Sequence, residues 1–206
     1  MNEFILTRLE QSNAAKQAFV EESADKIITL ADRIVEVFHN GGKLLIFGNG
    51  GSAADAQHLA AEFINRFLLN RAPLPAIALT TDSSTLTAIG NDFSYEVIFV
   101  KQVQALGKPE DMAIGITTSG TSPNVVKALA AAREIGMTTV ALTGGTVTPE
   151  HGVAPYSDLV LNVPSNYTAR IQEVHLWIEH MACEIVEKKM FGRWKEEAQE
   201  PARAGA

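Results

Sequence analysis

The chain has 206 residues, 46% of them hydrophobic and 20% charged, with a formal net charge of −7. That length suits one well-packed α/β domain, and the composition is that of an ordinary globular protein. The acidic balance, with no cluster of Lys and Arg among aromatics, argues against a nucleic-acid partner, and no apolar run reaches the 18 residues of a membrane span.

The N-terminal MNEFILTRLEQSNAAKQ has no basic stretch followed by an apolar core, so no secretory leader is expected. Cys183 is the only cysteine, which rules out an internal disulfide and suits a reducing cytoplasm. Residues 2–22 read as a polar helix with too few apolar positions to bury against one small domain, so packing against another chain is expected. A second helix follows in LADRIVEVFHNGG, where Leu30, Ile34, Val37 and Phe38 keep helical spacing and Gly41 and Gly42 stop it. Residues 1–42 are thus helical and part of the same domain.

From residue 43 short β-rich runs alternate with helical ones. The strands are KLLIF (43–47), PAIAL (75–79), MAIGITT (112–118), TTVALT (138–143) and DLVLNV (158–163). Helices are expected near 53–68, 83–106 and 123–135, with a long one from about Tyr167 to Lys189. Apolar strands separated by helices predict an α/β fold: a doubly wound, five-stranded parallel sheet of flavodoxin-like order, covered on both faces. The core spans 43–191, and 192–206 reads as a polar tail that frays.

In that order, ligands bind beyond the carboxyl ends of the first and third strands, where the connections diverge. The loops there are GNGGS (48–52) and TSGTSPN (118–124). Both combine glycine with hydroxyls and lead into a helix N-terminus, a natural anion site. Turn formation and capping explain either loop alone equally well; two converging loops favour a phosphate. Gly48, Gly50 and Ala53 also fit a dinucleotide fingerprint. That motif expects an acid about 20 residues on, whereas Asp82 lies 34 beyond Gly48, and the second loop would have no role.

His58 and Glu62, four residues apart on the helix after the first loop, share a face. The spacing serves a metal ion or a surface ion pair; closeness to the anion loop favours the former. In the last helix Gln172, His175 and His180 interrupt an apolar stretch, and spacing alone does not choose between the two histidines. His39 and His151 fall in turns and read as exposed.

Four segments, GNGGSAADAQHLAAEF, LTAIGNDFSYEVIFVKQVQALG, TTSGTSPNVVKAL and TARIQEVHLWIEH, together resemble the phosphoheptose (sedoheptulose 7-phosphate) isomerases of the sugar isomerase (SIS) superfamily. The likeness runs to about Phe191. The hydroxyl loops are general to SIS domains; H-x-x-x-E combined with Q-E-x-H-x-x-x-x-H is far more specific. The resemblance implies zinc ligands at His58, Glu62, Gln172 and His180, one ion per subunit, and so selects His180 over His175. It implies substrate contacts at Asn49, Gly50, Gly51, Ser52, Glu62, Asn91, Asp92, Thr117, Thr118, Ser119, Ser122 and Gln172. Glu62 would be the base and His180 its acid partner, moving a proton between C1 and C2 through a metal-assisted enediolate. Where the family reads S-T-S-G-N-S this chain has T-T-S-G-T-S, so Thr121 stands in place of an amide.

Gln172 and His180 lie about 12 Å apart along a straight helix. Subunit interfaces that complete each site are therefore expected, and the family implies a homotetramer. Two rival readings use the same fold: a scaffold that binds the bacterial replication initiator, and a sugar-phosphate sensor. Such scaffolds lack counterparts of Glu62 and His180, and a sensor needs neither base nor metal; this chain keeps the whole set.

Overall fold

The five apolar runs form five parallel strands in the computed structural model, which describes residues 1–192. They are β1 (Leu44–Gly48), β2 (Ala76–Ala78), β3 (Met112–Ile116), β4 (Thr138–Gly144) and β5 (Leu159–Val163), in spatial order β2-β1-β3-β4-β5. The doubly wound reading is borne out, with β1 beside β3 at the point where the winding reverses.

Strand alternation builds two cores. Leu44 and Ile46 of β1, with Met112, Ile114 and Ile116 of β3, face one side. They pack under three helices: α1 (Asn2–His39), α2 (Gly51–Ile64) and α6 (Thr168–Phe191). Leu45 and Phe47 of β1 and Ala113 of β3 face the other side, under α3 (Ser83–Asp92), α4 (Ile98–Leu106) and α5 (Pro123–Ile135). With both faces covered, the strands need no polar alternation, which is why they read as continuous apolar runs.

The two expected N-terminal helices are present, running together as α1 across a kink at Ser23, whose φ of −149° and ψ of 20° are not helical. One expectation is corrected. The single helix expected over 83–106 is two, because Phe93 (φ −126°, ψ −88°) and the extended Ser94 leave the helical region. Asp82 starts α3 by accepting from the Thr85 N–H at 3.0 Å. At the start of α1, Phe4, Ile5, Leu6 and Leu9 are each more than half exposed, whereas from Ala15 onward the helix joins the core. The tail expected over 192–206 lies outside the described residues from 193 on.

Candidate active site

The β1–β3 register aligns Gly48 with Ile116, so the two loops leave the sheet side by side. They are joined by a reciprocal amide pair. Asn49 Nδ2 donates to Asn124 Oδ1 at 2.9 Å, and Asn124 Nδ2 donates back to Asn49 Oδ1 at 2.8 Å. The Tyr95 hydroxyl donates to the same Asn49 oxygen at 3.0 Å, bringing the segment between α3 and α4 to the first loop. Asn91 and Asp92, the last two residues of α3, are exposed and bond to each other at 2.9 Å.

Both helix N-termini at this point lack a side-chain cap. Gly50, with φ +56°, is the N-cap of α2 and has no side chain to offer it; Ser122 is the N-cap of α5, and its side chain does not bond the helix. Capping therefore does not explain these residues. The Ser122 hydroxyl instead lies 2.8 Å from the buried Thr117 hydroxyl, which is 3.4 Å from Ser119 Oγ. Thr121, in place of the family's amide, bonds Ser119 through its N–H (3.3 Å) and its hydroxyl (3.2 Å). Thr118 and Ser119 open onto a cavity of ≈ 210 Å³ shared with Gly145, Thr146, Asn166 and Thr168. Uncapped N–H groups at the start of α2, a favourable dipole and a ring of hydroxyls make an anion cradle.

Gly51 opens α2, and a Cβ there would come within 2.2 Å of Gln172 Nε2. The absence of a side chain is what lets α6 bring Gln172 against the cradle. Two turns along α2, His58 Nε2 lies 3.7 Å from Glu62 Oε1 and 2.8 Å from His180 Nε2 on α6. Phe67 stacks on the His180 ring with centroids 5.5 Å apart. Burial lowers the proton affinity of His180, the neighbouring His58 lowers it further, and Glu62 opposes both.

His175 takes a different path. It is fully buried, its Nε2 is 3.0 Å from the Thr143 carbonyl of β4, and burial pushes its pKa down to about 4 despite that bond. The structure thus separates the two histidines that spacing could not. Two carboxyls also lie behind the pair. Asp55 has its pKa raised to about 6 by burial against the opposing effect of His58, and Glu179 is raised well above the usual range by burial and by Asp55. Asp55 Oδ2 and both Glu179 oxygens are buried without a hydrogen-bond partner.

Two imidazole nitrogens and a carboxylate oxygen are a zinc-type donor set, and ligand atoms around tetrahedral zinc are about 3.3 Å apart. The spacings of 2.8 and 3.7 Å bracket that figure, so the residues suit the ion. They do not enclose it alone: among the described residues no group of three or more His, Cys, Asp or Glu is arranged to hold a metal by itself. Gln172, the fourth expected ligand, sits at the start of α2 instead, eight residues before His180 on the unbroken α6.

Asn124, Tyr95 and Phe67 were not among the expected site residues. Asn124 and Tyr95 stand inside the motif segments, but their pairing with Asn49 depends on the spatial meeting of three loops.

Comparison with known proteins supplies the family. The SIS domain family model matches residues 9–144. A phosphoheptose isomerase of Roseiflexus sp. (strain RS-1) is 53% identical over 188 residues, 91% of this chain and 94% of the relative. Among solved structures, the phosphoheptose isomerase of Neisseria gonorrhoeae superposes with a TM-score of 0.84 at 42% identity, covering 91% of this chain and 98% of that one. The phosphoheptose isomerase from Francisella tularensis gives 0.85 at 40%, covering 90% and 97%.

Proposed function

Since the chain belongs to the SIS-domain family and, within it, to the phosphoheptose isomerases, we propose that it converts sedoheptulose 7-phosphate to D-glycero-D-manno-heptopyranose 7-phosphate. One observation carries the reading: His58 and Glu62, on the helix that starts at the anion cradle, converge with His180 of α6. The N–H groups at the start of α2 and the hydroxyls of Ser52, Thr117, Thr118, Ser119 and Ser122 hold the phosphate. Asn49, Asn91, Asp92 and Gln172 hold sugar hydroxyls.

The reaction moves one proton between neighbouring carbons. Glu62 takes a proton from C1, the C1–C2 double bond forms, and the C2 oxygen gains the charge of an enediolate. The proton returns to C2 as the C1 carbonyl forms. His180, whose proton affinity burial and His58 lower, can take the proton leaving the C1 oxygen and pass it to the C2 oxygen. His58, Glu62, Gln172 and His180 would hold one zinc ion per site, which when bound would polarise the substrate oxygens and stabilise the developing charge. Gln172 and His180 lie too far apart along α6 to meet at one ion without help, so we assign the active form to a homotetramer whose interfaces complete each site. No helix among the described residues is long and apolar enough to cross a membrane, and a reducing cytoplasm suits the single free Cys183.

The test is NMR of the protein with sedoheptulose 7-phosphate in D₂O, with metal stripped and with zinc restored. Zinc-dependent aldose formation, lost in Glu62→Gln, supports the full reading. Aldose formed equally without metal removes zinc from it. No aldose and no deuterium exchange from folded, zinc-loaded protein would overturn the isomerase and point to a non-catalytic scaffold.

A further inference from the structure

Between the helix carrying Glu62 and the helix carrying His180 lies a buried ion pair that the reaction itself does not use. Arg71 and Glu187 each have side chains only 1% exposed, and they meet at 2.8 Å. Most of the polar contacts the two make bear on the site. Glu187, on α6, accepts from the N–H groups of Phe67, Leu68 and Leu69, each at 2.8 Å, and from Arg71 Nε. Arg71 donates to the carbonyls of Glu62 (2.8 Å) and Phe63 (2.8 Å) in the last turn of α2, and to Ala72 (3.0 Å).

These bonds do three things together. The guanidinium satisfies carbonyls that the end of α2 leaves without partners, one of them belonging to Glu62 itself. The carboxylate gathers three successive N–H groups and so fixes segment 67–69 against α6. Within that segment Phe67 is the residue stacked on His180. Glu187 follows His180 by seven residues, two helical turns, and so sits on the same side of α6. Phe67 is thus tied to α6 twice, by its N–H to Glu187 and by its ring to His180.

We infer that Arg71 and Glu187 are positioning residues for the isomerisation, a clamp that sets the spacing of Glu62 and His180 by locking the end of α2 and the Phe67 strap onto α6. The inference rests on the isomerase reading above. A purely structural pair would affect the amount of folded protein and nothing else. A clamp predicts a loss in turnover and in zinc affinity but not in substrate binding, because the phosphate cradle lies at the other end of α2.

The experiment uses Arg71→Lys, which keeps the charge but not the fork that reaches Glu187 and three carbonyls at once. Kinetics on the zinc-loaded enzyme with sedoheptulose 7-phosphate, corrected for folded fraction, are expected to show kcat lower by about 10–100-fold and KM changed by less than about threefold. The same substitution in a Glu62→Gln background should cost almost nothing more, since both act through one group. Zinc affinity, measured against a chromophoric chelator, should fall by about tenfold or more. Unchanged kcat, a rise confined to KM, or fully additive losses would each overturn the clamp. Should the parent enzyme show no isomerase activity, that reading fails by itself and zinc affinity alone judges the clamp: no change refutes it. Should Arg71→Lys fail to fold, Phe67→Leu replaces it, leaving the ion pair intact and removing the ring from His180. It must show the same kcat loss at constant KM for the inference to stand.

Discussion

Replacing Gly51 with alanine should separate activity from stability in this protein. The added Cβ would lie 2.2 Å from Gln172 Nε2, 3.0 Å from its Cδ and 3.3 Å from its Oε1. Ordinary contact begins at 3.4 Å, so the amide must retreat by 3.4 − 2.2 = 1.2 Å. The atoms it meets are the free end of a flexible side chain, and Gly51 is the first residue of α2 with no positive φ, so the backbone accepts the change. Alanine is a better helix former than glycine by up to about 1 kcal/mol, worth at most about 2–4 °C in Tm for a chain of this size. A 1 Å displacement at a reacting site costs about 100-fold, or about 2.7 kcal/mol in the barrier. Thermal unfolding and turnover of sedoheptulose 7-phosphate on one preparation make the assay. The expected result is an equal or slightly higher Tm with kcat/KM down about 100-fold, and no further loss when Gly51→Ala is added to Gln172→Ala. Wild-type turnover, or a Tm lowered by more than about 5 °C, would refute the reasoning.

Four other outcomes follow from the same coordinates. Asn124→Ala leaves the Asn49 amide short of two bonds; it should raise KM about tenfold and cost about 1–3 kcal/mol in urea unfolding, with Tyr95→Phe giving a weaker effect. His175 is held neutral, with its pKa near 4 against 6.5 when unfolded, so the unfolded chain binds the proton first as pH falls. Stability from this group is complete above 6.5 and is lost down to about 4, by about 3 kcal/mol in all, and a urea series on His175→Gln should lack that component. For Glu187, burial raises the pKa, but the N–H groups of residues 67–69 and Arg71 outweigh it and hold the carboxyl below 4.5. Its contribution is therefore present above 4.5 and lost as pH drops through the lower folded value, and Glu187→Ala, which strands a buried guanidinium, should cost about 3–5 kcal/mol at pH 7 by denaturant unfolding. Zinc at 100 times its Kd should stabilise the protein by about 2.7 kcal/mol in a thermal-shift assay, and His180→Ala should abolish the gain.

The strand order and the two facing loops were legible because sheet burial writes continuous apolar runs and because the winding reversal has a fixed location. The break between α3 and α4 was not, since Phe93, Ser94 and Tyr95 do not oppose helix strongly enough to be read as a stop. Spacing left His175 and His180 undecided, since each lies where an α-helix can use it; the resemblance chose His180, and the position of β4 shows that the core takes His175. Arg71 and Glu187 were invisible for another reason. Charged residues in polar stretches read as solvated, and their burial depends on a loop and a helix 116 residues apart in sequence. Asn124 stood in a quoted motif, yet its partner is 75 residues away.

The edge strand β2 shapes how this protein can meet others. It pairs with β1 over only three residues, Ala76–Ala78, and follows Pro73 and Pro75, neither of which carries an N–H to offer a passing strand. An exposed parallel edge is a template for polymerisation, and short, proline-flanked edges are how natural sheets blunt it. Growth of this sheet into a neighbouring chain is thereby discouraged. At this edge any association is left to side-chain surfaces, where shape rather than backbone pairing decides the partner.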